Sequence, residues 1–449
     1  MRAGISGFAP RPSTFRGFET TAAPSSARAN KFAAWLMLFG LLLPPAEVQI
    51  YIGGLKFTVA RIGIFILLLP ASFILLSKGR HLLACDFFVL ALASWILFAA
   101  IYTDGTASLS SAGAESVEFF GGYIVARAFF FGAAALRAFV SVLKVVAFTA
   151  IIFAIADTVS GRLVIHHAFA SLLHVEPISD QYRMGMVRAA STFDHAILFG
   201  AFCSIVAAIL FYSEANVLKR VMYTGVCLMG AILSLSSSSL MGFAIILATY
   251  SYDTLLRSYP WRWSACWAAI GAGLLVIIIV TNKPLGWVLS NLTLDPDSGY
   301  FRLLIWDASI FQISAAPWTG HAFTDFGTIE LNSVDSVWLV LPLRFGIPTI
   351  VFLALANLAA VLPTKYSGNM GTPYLNRMRT AFSLILLLFA FIGITVHYWN
   401  YIWIFWGICL GIRASLRELS LYRNPRSFLY SQPASNQFVG DRLRSPMRA

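Results

Sequence analysis

Long apolar stretches recur along almost the whole chain, and short polar segments separate them. A helix needs about 20 mostly apolar residues to cross the hydrocarbon core of a bilayer, and each stretch is about that long. The pattern therefore predicts an all-α, polytopic integral membrane protein. Twelve spans are predicted, near residues 33–50, 57–77, 83–102, 119–136, 139–159, 195–213, 219–236, 239–257, 263–281, 336–362, 379–396 and 398–414.

Composition and charge agree with this prediction. The 449 residues are 58% hydrophobic and only 12% charged, which excludes an ordinary soluble domain. The net charge of +12 raises the alternative of a nucleic-acid partner, but the positions of the cations argue against it. Of the 32 Lys and Arg residues, 22 fall on one side of the predicted spans and six on the other. By the positive-inside rule we expect both termini to be cytoplasmic, and we expect no nucleic-acid partner.

The spans and charges divide the chain into five predicted parts. Two are basic cytoplasmic tails, and the outward-facing loops that interrupt the spans carry most of the remaining polar residues. The parts are a tail at 1–32, spans one to nine at 33–281 with an outer loop at 160–194, a second outer loop at 282–335, spans ten to twelve at 336–416, and a tail at 417–449.

The first outer loop ends in RMGMVRAASTFDHAILFG, which brings Arg183, Arg188, Asp194 and His195 to the start of the sixth span. A lone His at a span boundary is often only an interfacial polar residue. Cations are scarce on this face, however, and two arginines before a helix that enters the membrane favour an anion site.

The second outer loop contains DPDSGYFRLLIWDASIFQISAAP, which predicts a helix that stops before Pro317. Arg302 and Trp306 then lie one turn apart on one face. This helix is interpreted either as an interfacial anchor with Arg302 at the headgroups, or as a support on which Arg302 binds a substrate phosphate.

Several charged residues fall at or within the predicted spans. Asp335 opens the tenth span and is interpreted either as a helix N-cap or as a functional acid. Arg344 lies nine residues further on, about 13 Å along a helix, so it needs another partner. Asp86 and Asp157 are also predicted to be buried, and structural ion pairs are the default expectation for all of these residues.

Four short patches, taken together with the topology, resemble the O-antigen ligase and polysaccharide polymerase (Wzy-type) superfamily of bacterial inner membranes. Ligase members have His-Asn, nine residues and Gly-x-x-Gly entering the tenth span, and this chain has Asp335-Ser336, nine residues and Gly346-Ile347-Pro348-Thr349. The other patches are Arg188 before Phe193 and His195, Arg302 before Trp306, and the serine-rich turn SLSSSSLMGF at residues 234–243.

The resemblance implies a multi-pass protein of the inner membrane that transfers glycans from undecaprenyl diphosphate at the periplasmic face, with the second outer loop as a periplasmic subdomain. Because Asp335 stands where ligases have histidine, a polymerase of exopolysaccharide or O-antigen is favoured over a ligase-type transferase. Membrane lipids and a chain-length-regulating co-polymerase are expected partners. A lipid-linked oligosaccharide flippase or other transporter is the alternative from a different class, because it too has about twelve spans and buried charges.

Glycosyl transfer needs groups that stabilise the diphosphate leaving group and a base for the acceptor hydroxyl. Arg183, Arg188 and Arg302 are predicted to bind the diphosphate, and Asp335 or His195 to act as the base, with no metal or cofactor. Glycan contacts are predicted at Trp306 and Trp338, within an aromatic-rich mouth that also includes Trp318, Tyr398 and Trp399. The alternative for these aromatic residues is the ordinary interfacial belt.

Overall fold

The computed structural model describes residues 24–52, 55–77, 80–256, 258–280, 296–327, 331, 334–363 and 372–421. In these ranges the protein is built almost entirely of α-helices, with two short β-hairpins. The helices are α1 Pro24–Leu42, α2 Val59–Leu76, α3 Ala84–Asp104, α4 Leu109–Phe129, α5 Ala133–Ser160, α6 Val164–Leu173, α7 Ala196–Ser213, α8 Val217–Leu233, α9 Ser237–Leu255, α10 Arg262–Val280, α11 Pro296–Ala315, α12 Val337–Phe345, α13 Ile347–Val361, α14 Pro373–Ile392 and α15 Tyr401–Leu419. The strands are β1 Gln49–Ile52, β2 Leu55–Thr58, β3 Tyr182–Arg183 and β4 Met186–Val187.

Within the described residues, five helices are long and apolar enough to cross a membrane, namely α2, α3, α5, α7 and α14. The all-α class of the prediction and its membrane character agree with this finding. Each of the twelve predicted spans overlaps a helix, although some bounds differ. The predicted tail at 1–32 lies outside the described residues up to residue 23, and so do residues 282–295 of the second outer loop and the tail from residue 422.

Two differences from the predicted bounds have clear physical causes. Helix α1 ends at Leu42 rather than near residue 50, because Pro44 and Pro45 cannot continue a helix. Helix α4 starts at Leu109, ten residues before the predicted span. Its first half carries Glu115 and Glu118, so an apolar window does not detect it, yet these residues face the interior of the bundle.

The predicted tenth span is two helices, α12 and α13, separated at Gly346. This residue has a φ of 80°, and a Cβ atom there would collide with the backbone carbonyl of Trp318. The amide of Ile347 donates to the carbonyl of Pro317 at 2.8 Å, so the segment after α11 packs directly against the break. The residues that follow α11, Pro317 and Trp318, are thereby fixed to the bundle.

Helices α7 and α15 form the centre of the described bundle. Sixteen of the 18 residues of α7 are buried, between α5, α8, α9 and α14. Helix α15 packs closely on α4, and a Cβ atom at Gly407 would lie 2.5 Å from the carbonyl oxygen of Phe119. Small residues at such a contact let two helix backbones approach, as is common in membrane bundles.

Ion pairs join helices at one end of the bundle. The fully buried Arg127 of α4 pairs with Asp86 of α3 at 2.9 Å and with Glu418 of α15. Glu418 also pairs with Arg80 at 2.9 Å. The expectation of an ion pair for Asp86 is therefore confirmed. Removing either partner would leave a buried charge uncompensated, which destabilises the fold.

The expectation is also confirmed for Arg344, which pairs with Glu115 at 3.5 Å, although this acid was not among those predicted from sequence. For Asp157 the expectation is wrong, because it forms no ion pair within the described residues. Its carboxylate instead accepts hydrogen bonds from the backbone amides of Val164 at 2.9 Å and Ser191 at 2.8 Å, which ties the two ends of the first outer loop together.

Candidate functional site

The hairpin β3–β4 determines where two of the predicted arginines lie. Its strands pair Tyr182 with Val187 and Arg183 with Met186, so two residues, Met184 and Gly185, form the turn. Both have positive φ angles, 53° and 75°, as a tight type I′ turn requires. Arg183 is therefore the last residue of the first strand, and Arg188 directly follows the second.

Three consecutive carbonyl groups at the C-terminal end of α8 hold this hairpin. The Arg183 Nη1 atom donates to Leu235 at 2.8 Å and the Arg188 Nε atom to Ser234 at 3.4 Å, while the Ala189 amide donates to Leu233 at 3.1 Å. The last carbonyls of a helix lack intrahelical partners and carry partial negative charge, so they favour guanidinium donors. The serine-rich turn is thus a support for the two arginines.

Arg188 is the buried centre of a group of charged residues. It is 8% exposed, its Nη1 atom donates to Gln181 Oε1 at 3.3 Å, and its Nη2 atom has no described partner. Burial, with the positive charges of Arg183 and Arg302 acting against the nearby Asp335, lowers its pKa to about 10. Arg188 remains charged at neutral pH, so the site holds a cation that burial disfavours.

We call Arg183, Arg188, His195, Arg302 and Asp335 the Arg188 cluster. These residues come from three segments far apart in sequence, and their charges act on one another across the site. Within these five residues, three guanidinium groups and one carboxylate give a net charge of +2, because burial keeps the His195 ring neutral. All five residues predicted for diphosphate binding or catalysis are thus brought together.

Asp335 does not cap the helix that follows it. The N-cap of α12 is Ser336, whose hydroxyl donates to the Gly393 carbonyl at 3.1 Å. The interpretation of Asp335 as an N-cap is therefore wrong. The residue is exposed, but protein atoms surround the carboxyl group closely enough to raise its pKa, against the opposing charges of Arg302 and Arg188.

His195 is the N-cap of α7. Its Nδ1 atom accepts a hydrogen bond from the Ile197 amide at 3.1 Å, so the ring proton is on Nε2. Burial, together with the charge of Arg188, lowers the pKa of His195 to about 4. The imidazole is therefore neutral at pH 7, and its lone pair is already used by the helix.

Trp399 separates the Arg188 cluster from a neighbouring cavity. Its indole ring lies against His195 at 6.4 Å between centroids, and its Nε1 atom donates to Asp194 Oδ2 at 3.0 Å. The Asn400 side chain donates to the same carboxylate oxygen at 2.8 Å. Asp194 thus joins the start of α7 to the start of α15, and keeps the Trp399 ring between His195 and the cavity.

The cavity beyond Trp399, here the Trp399 cavity, has a volume of about 320 Å³. Its wall combines aromatic rings, hydroxyl groups, an amide and five charged side chains. Two of the cations are paired, Arg61 with Glu118 at 2.7 Å and Arg344 with Glu115 at 3.5 Å. The wall is formed by Tyr51, Lys56, Arg61, Ser110, Ser111, Ala114, Glu115, Glu118, Arg344, His397, Tyr398, Trp399, Asn400 and Trp403.

Such a wall suits a polar, ring-shaped ligand, since aromatic faces offer apolar contact while the surrounding groups donate and accept hydrogen bonds. Comparison with models of known protein families finds no match. Comparison with curated proteins finds none either. The chemistry of the site has to be inferred from its residues.

The two tryptophans predicted to bind glycan are not equivalent. Trp306 is half-buried on α11, on the same face as Arg302 and one turn away. Trp338 donates its indole N–H to the Ala390 carbonyl at 2.9 Å and packs against Trp406. Packing accounts for the position of Trp338, whereas Trp399 lines the cavity and also contacts His195.

Several residues of the site were not named from sequence as site residues. Glu115 and Glu118 line the cavity from the polar half of α4, and Asn400 adopts a positive φ of 47° at the start of α15. A positive φ is uncommon for a residue with a side chain, and Asn is among the residues that adopt it more often. The only feature of the sequence that could have indicated these residues is a polar stretch next to a predicted span.

Proposed function

We propose that this protein is a membrane-embedded glycan polymerase, which joins undecaprenyl-diphosphate-linked repeat units into exopolysaccharide or O-antigen at the periplasmic face. The single observation that carries the proposal is the Arg188 cluster. Two remote segments contribute arginines to it and a third contributes Asp335, and the net charge of +2 over its five residues complements a diphosphate. The adjoining Trp399 cavity supplies a polar, aromatic space of a size that suits sugar units.

The proposed step transfers the growing glycan to the next repeat unit. The acceptor hydroxyl oxygen attacks the anomeric carbon of the donor sugar, and the bond from that carbon to the phosphate oxygen breaks. Undecaprenyl diphosphate leaves with the bonding electrons, and the hydroxyl proton passes to a base. Arg183, Arg188 and Arg302 stabilise the negative charge that develops on the leaving oxygen, in surroundings where solvent screens it little.

Asp335 is the better candidate for the base. A base needs a free lone pair and a pKa that allows it to accept a proton near neutral pH. The His195 Nδ1 lone pair is committed to the Ile197 amide, and its pKa of about 4 disfavours the protonated ring. Asp335 is exposed, and its pKa is raised above that of a free aspartate. His195 then acts as a positioning residue at the start of α7.

The orientation rests on the distribution of cations along the sequence. Twelve spans with both termini in the cytoplasm put the Arg188 cluster and the Trp399 cavity at the periplasmic end of the bundle, where lipid-linked repeat units are polymerised. A chain-length-regulating co-polymerase and the membrane lipids are the proposed partners.

The ion pairs weaken the alternative of a flippase. Buried cations kept that alternative open, because charged residues inside a bundle often mark a transport path. Each of these cations has an acidic partner in the described structure: Arg61 has Glu118, Arg127 has Asp86, Lys144 has Glu214 and Arg344 has Glu115. Structural pairing therefore accounts for them without a transported substrate.

The test replaces the chromosomal gene with variants and measures glycan and lipid-linked precursor in the same cells. Arg302→Ala is expected to abolish long glycan, since loss of one charge contact to the transition state lowers the rate about a hundredfold or more. Arg302→Lys is expected to restore only part, because an ammonium group cannot reproduce the bidentate guanidinium contact. Arg162→Ala is the matched control, since Arg162 is an exposed arginine of the first outer loop.

The stalled precursor separates the proposed function from a carrier. A polymerase variant should accumulate single repeat units on undecaprenyl diphosphate that an added glycosidase or lectin can reach from the periplasm. Precursor protected from that reagent would overturn the polymerase in favour of a flippase. Normal glycan length in Arg302→Ala cells, with protein at wild-type abundance, would also overturn it.

A further inference from the structure

A second group of arginines lies at the opposite end of α15 from the Arg188 cluster. Its central member, Arg413, is 4% exposed. The Nε atom of Arg413 donates to the hydroxyl of Ser383 at 2.8 Å and its Nη2 atom to the Val361 carbonyl at 3.1 Å. Its Nη1 atom is buried and has no described partner. The start of α15 lies beside the Arg188 cluster, since Trp399 contacts His195. The helix rises about 20 Å from Asn400 to Arg413, so the two arginine groups are separate sites.

Two further arginines act on Arg413 as like charges. These are Arg379 of α14 and Arg417, one turn further along α15. Both are partly exposed, and each also has one buried nitrogen without a described partner, Nη1 of Arg379 and Nε of Arg417. We call Arg379, Arg413 and Arg417 the Arg413 cluster.

No acidic side chain in the described part of the chain forms an ion pair with these three arginines. The nearest acid in sequence is Glu418, but its carboxylate is held by Arg80 and Arg127. Carbonyls at the end of α13 accept from the cluster, from Arg417 at Ala359 and from Arg413 at Val361. A helix end carries only about half an elementary charge, so it offsets a fraction of three guanidinium charges.

The three guanidinium groups of the cluster therefore suit an anion with several acceptor oxygens, and the place of the cluster in the fold indicates which one. Arg379 is in the second turn of α14, a helix long and apolar enough to span a membrane. An arginine at that depth reaches the level of lipid headgroups. We propose that the Arg413 cluster is a binding site for the phosphate group of an anionic phospholipid. Arg379 and Arg417 contact the phosphate, and Arg413 adds charge from behind them.

The experiment measures binding of phosphatidylglycerol to the delipidated full-length protein in neutral detergent, by native mass spectrometry and by thermal shift. Phosphatidylcholine and inorganic phosphate are the comparison ligands at equal concentration. Wild-type protein is expected to bind phosphatidylglycerol best. The attraction between one arginine and an anionic lipid headgroup is strong enough that replacing either Arg379 or Arg417 with Gln should weaken binding about fivefold. The double variant Arg379→Gln and Arg417→Gln should weaken binding about thirtyfold.

Lys219→Gln is the matched control, because it removes an exposed cation away from the cluster and should leave binding unchanged. If the double glutamine variant does not fold, Arg379→Lys with Arg417→Lys keeps the charge. That variant should retain most of the binding and its strong dependence on salt.

Equal stabilisation by inorganic phosphate would overturn the lipid assignment, and equal binding of phosphatidylcholine would overturn the need for an anionic headgroup. Unchanged binding in the glutamine variant would overturn the site.

Discussion

Arg188→Gln should remove the proposed activity without destabilising the protein. Arg188 is buried, but neither of its described hydrogen bonds goes to a carboxylate. Burial, with the charges of Arg183 and Arg302, lowers its pKa to about 10, which corresponds to roughly 3 kcal/mol against the charged form in the fold. Glutamine is neutral, so it relieves that cost.

Two losses oppose this gain. The hydrogen bonds of Arg188 are long, 3.4 Å to Ser234 and 3.3 Å to Gln181, so each contributes about 1 kcal/mol or less. The shorter glutamine also loses some packing contacts, so the net change in the free energy of unfolding is between about zero and 2 kcal/mol in favour of the variant. The melting temperature in detergent, measured by scanning fluorimetry without phosphate compounds, should stay the same or rise by a few degrees.

Pyrophosphate binding provides a second measurement on the same variant. It should raise the melting temperature of wild-type protein, because a ligand at about a hundred times its dissociation constant stabilises the fold by about 3 kcal/mol. Arg188→Gln should lose that response, and its polymerisation rate should fall about a hundredfold or more.

Arg61→Gln is the contrasting variant. It leaves Glu118 buried without its ion pair, and should lower the melting temperature with or without pyrophosphate. A drop of many degrees for Arg188→Gln in the absence of ligand would refute the reasoning. It would mean that the arginine is a structural support rather than part of an anion site.

Three other variants test separate parts of the structure. Asp335→Asn keeps the size of an exposed side chain but removes its basicity, so normal protein abundance without long glycan is expected on gels, and full-length glycan would exclude it as the base. Gly346→Ala places a Cβ atom into the backbone that packs on the α12–α13 break, so size-exclusion profiles should show little folded protein. Gly113→Ala, with open space around it, is the control and should fold normally. Glu47 is buried, which raises its pKa, but the hydrogen bond and charge of His166 outweigh burial and lower it overall. Its contribution to stability is therefore present above about pH 4.3 and is lost as pH falls through the lower folded pKa, and thermal unfolding of Glu47→Gln should lack that acid-side loss.

The arginines of the candidate site could be found from sequence because of where they lie. Cations are rare on the side of the spans that holds Arg183, Arg188 and Arg302, so each stands out against a nearly neutral background. The hydrophobic pattern also located most helices, since a segment that faces lipid or a packed bundle must be apolar over its length. These features are local, and a single sequence records them.

Partners far apart in the chain could not be found in this way. Arg344 pairs with Glu115 across 229 residues, and Trp399 donates to Asp194 across 205. Only the packing of helices that are distant in sequence brings such groups together. The polar half of α4 also lowers its hydropathy, so the part of the helix that lines the Trp399 cavity was missed.

Four of the described arginines fall into two pairs that differ in their partners, and the difference affects stability. Arg80 and Arg127 neutralise acids between helices, and such pairs hold the folded state together whatever else is bound. Arg188 and Arg413 instead face other arginines, at opposite ends of α15. Like charges held close in a poorly screened interior oppose folding, and an anion that binds between them removes that opposition. Occupancy of either site should therefore stabilise the whole bundle, and stability measured in detergent free of phosphate compounds should be lower than in the membrane.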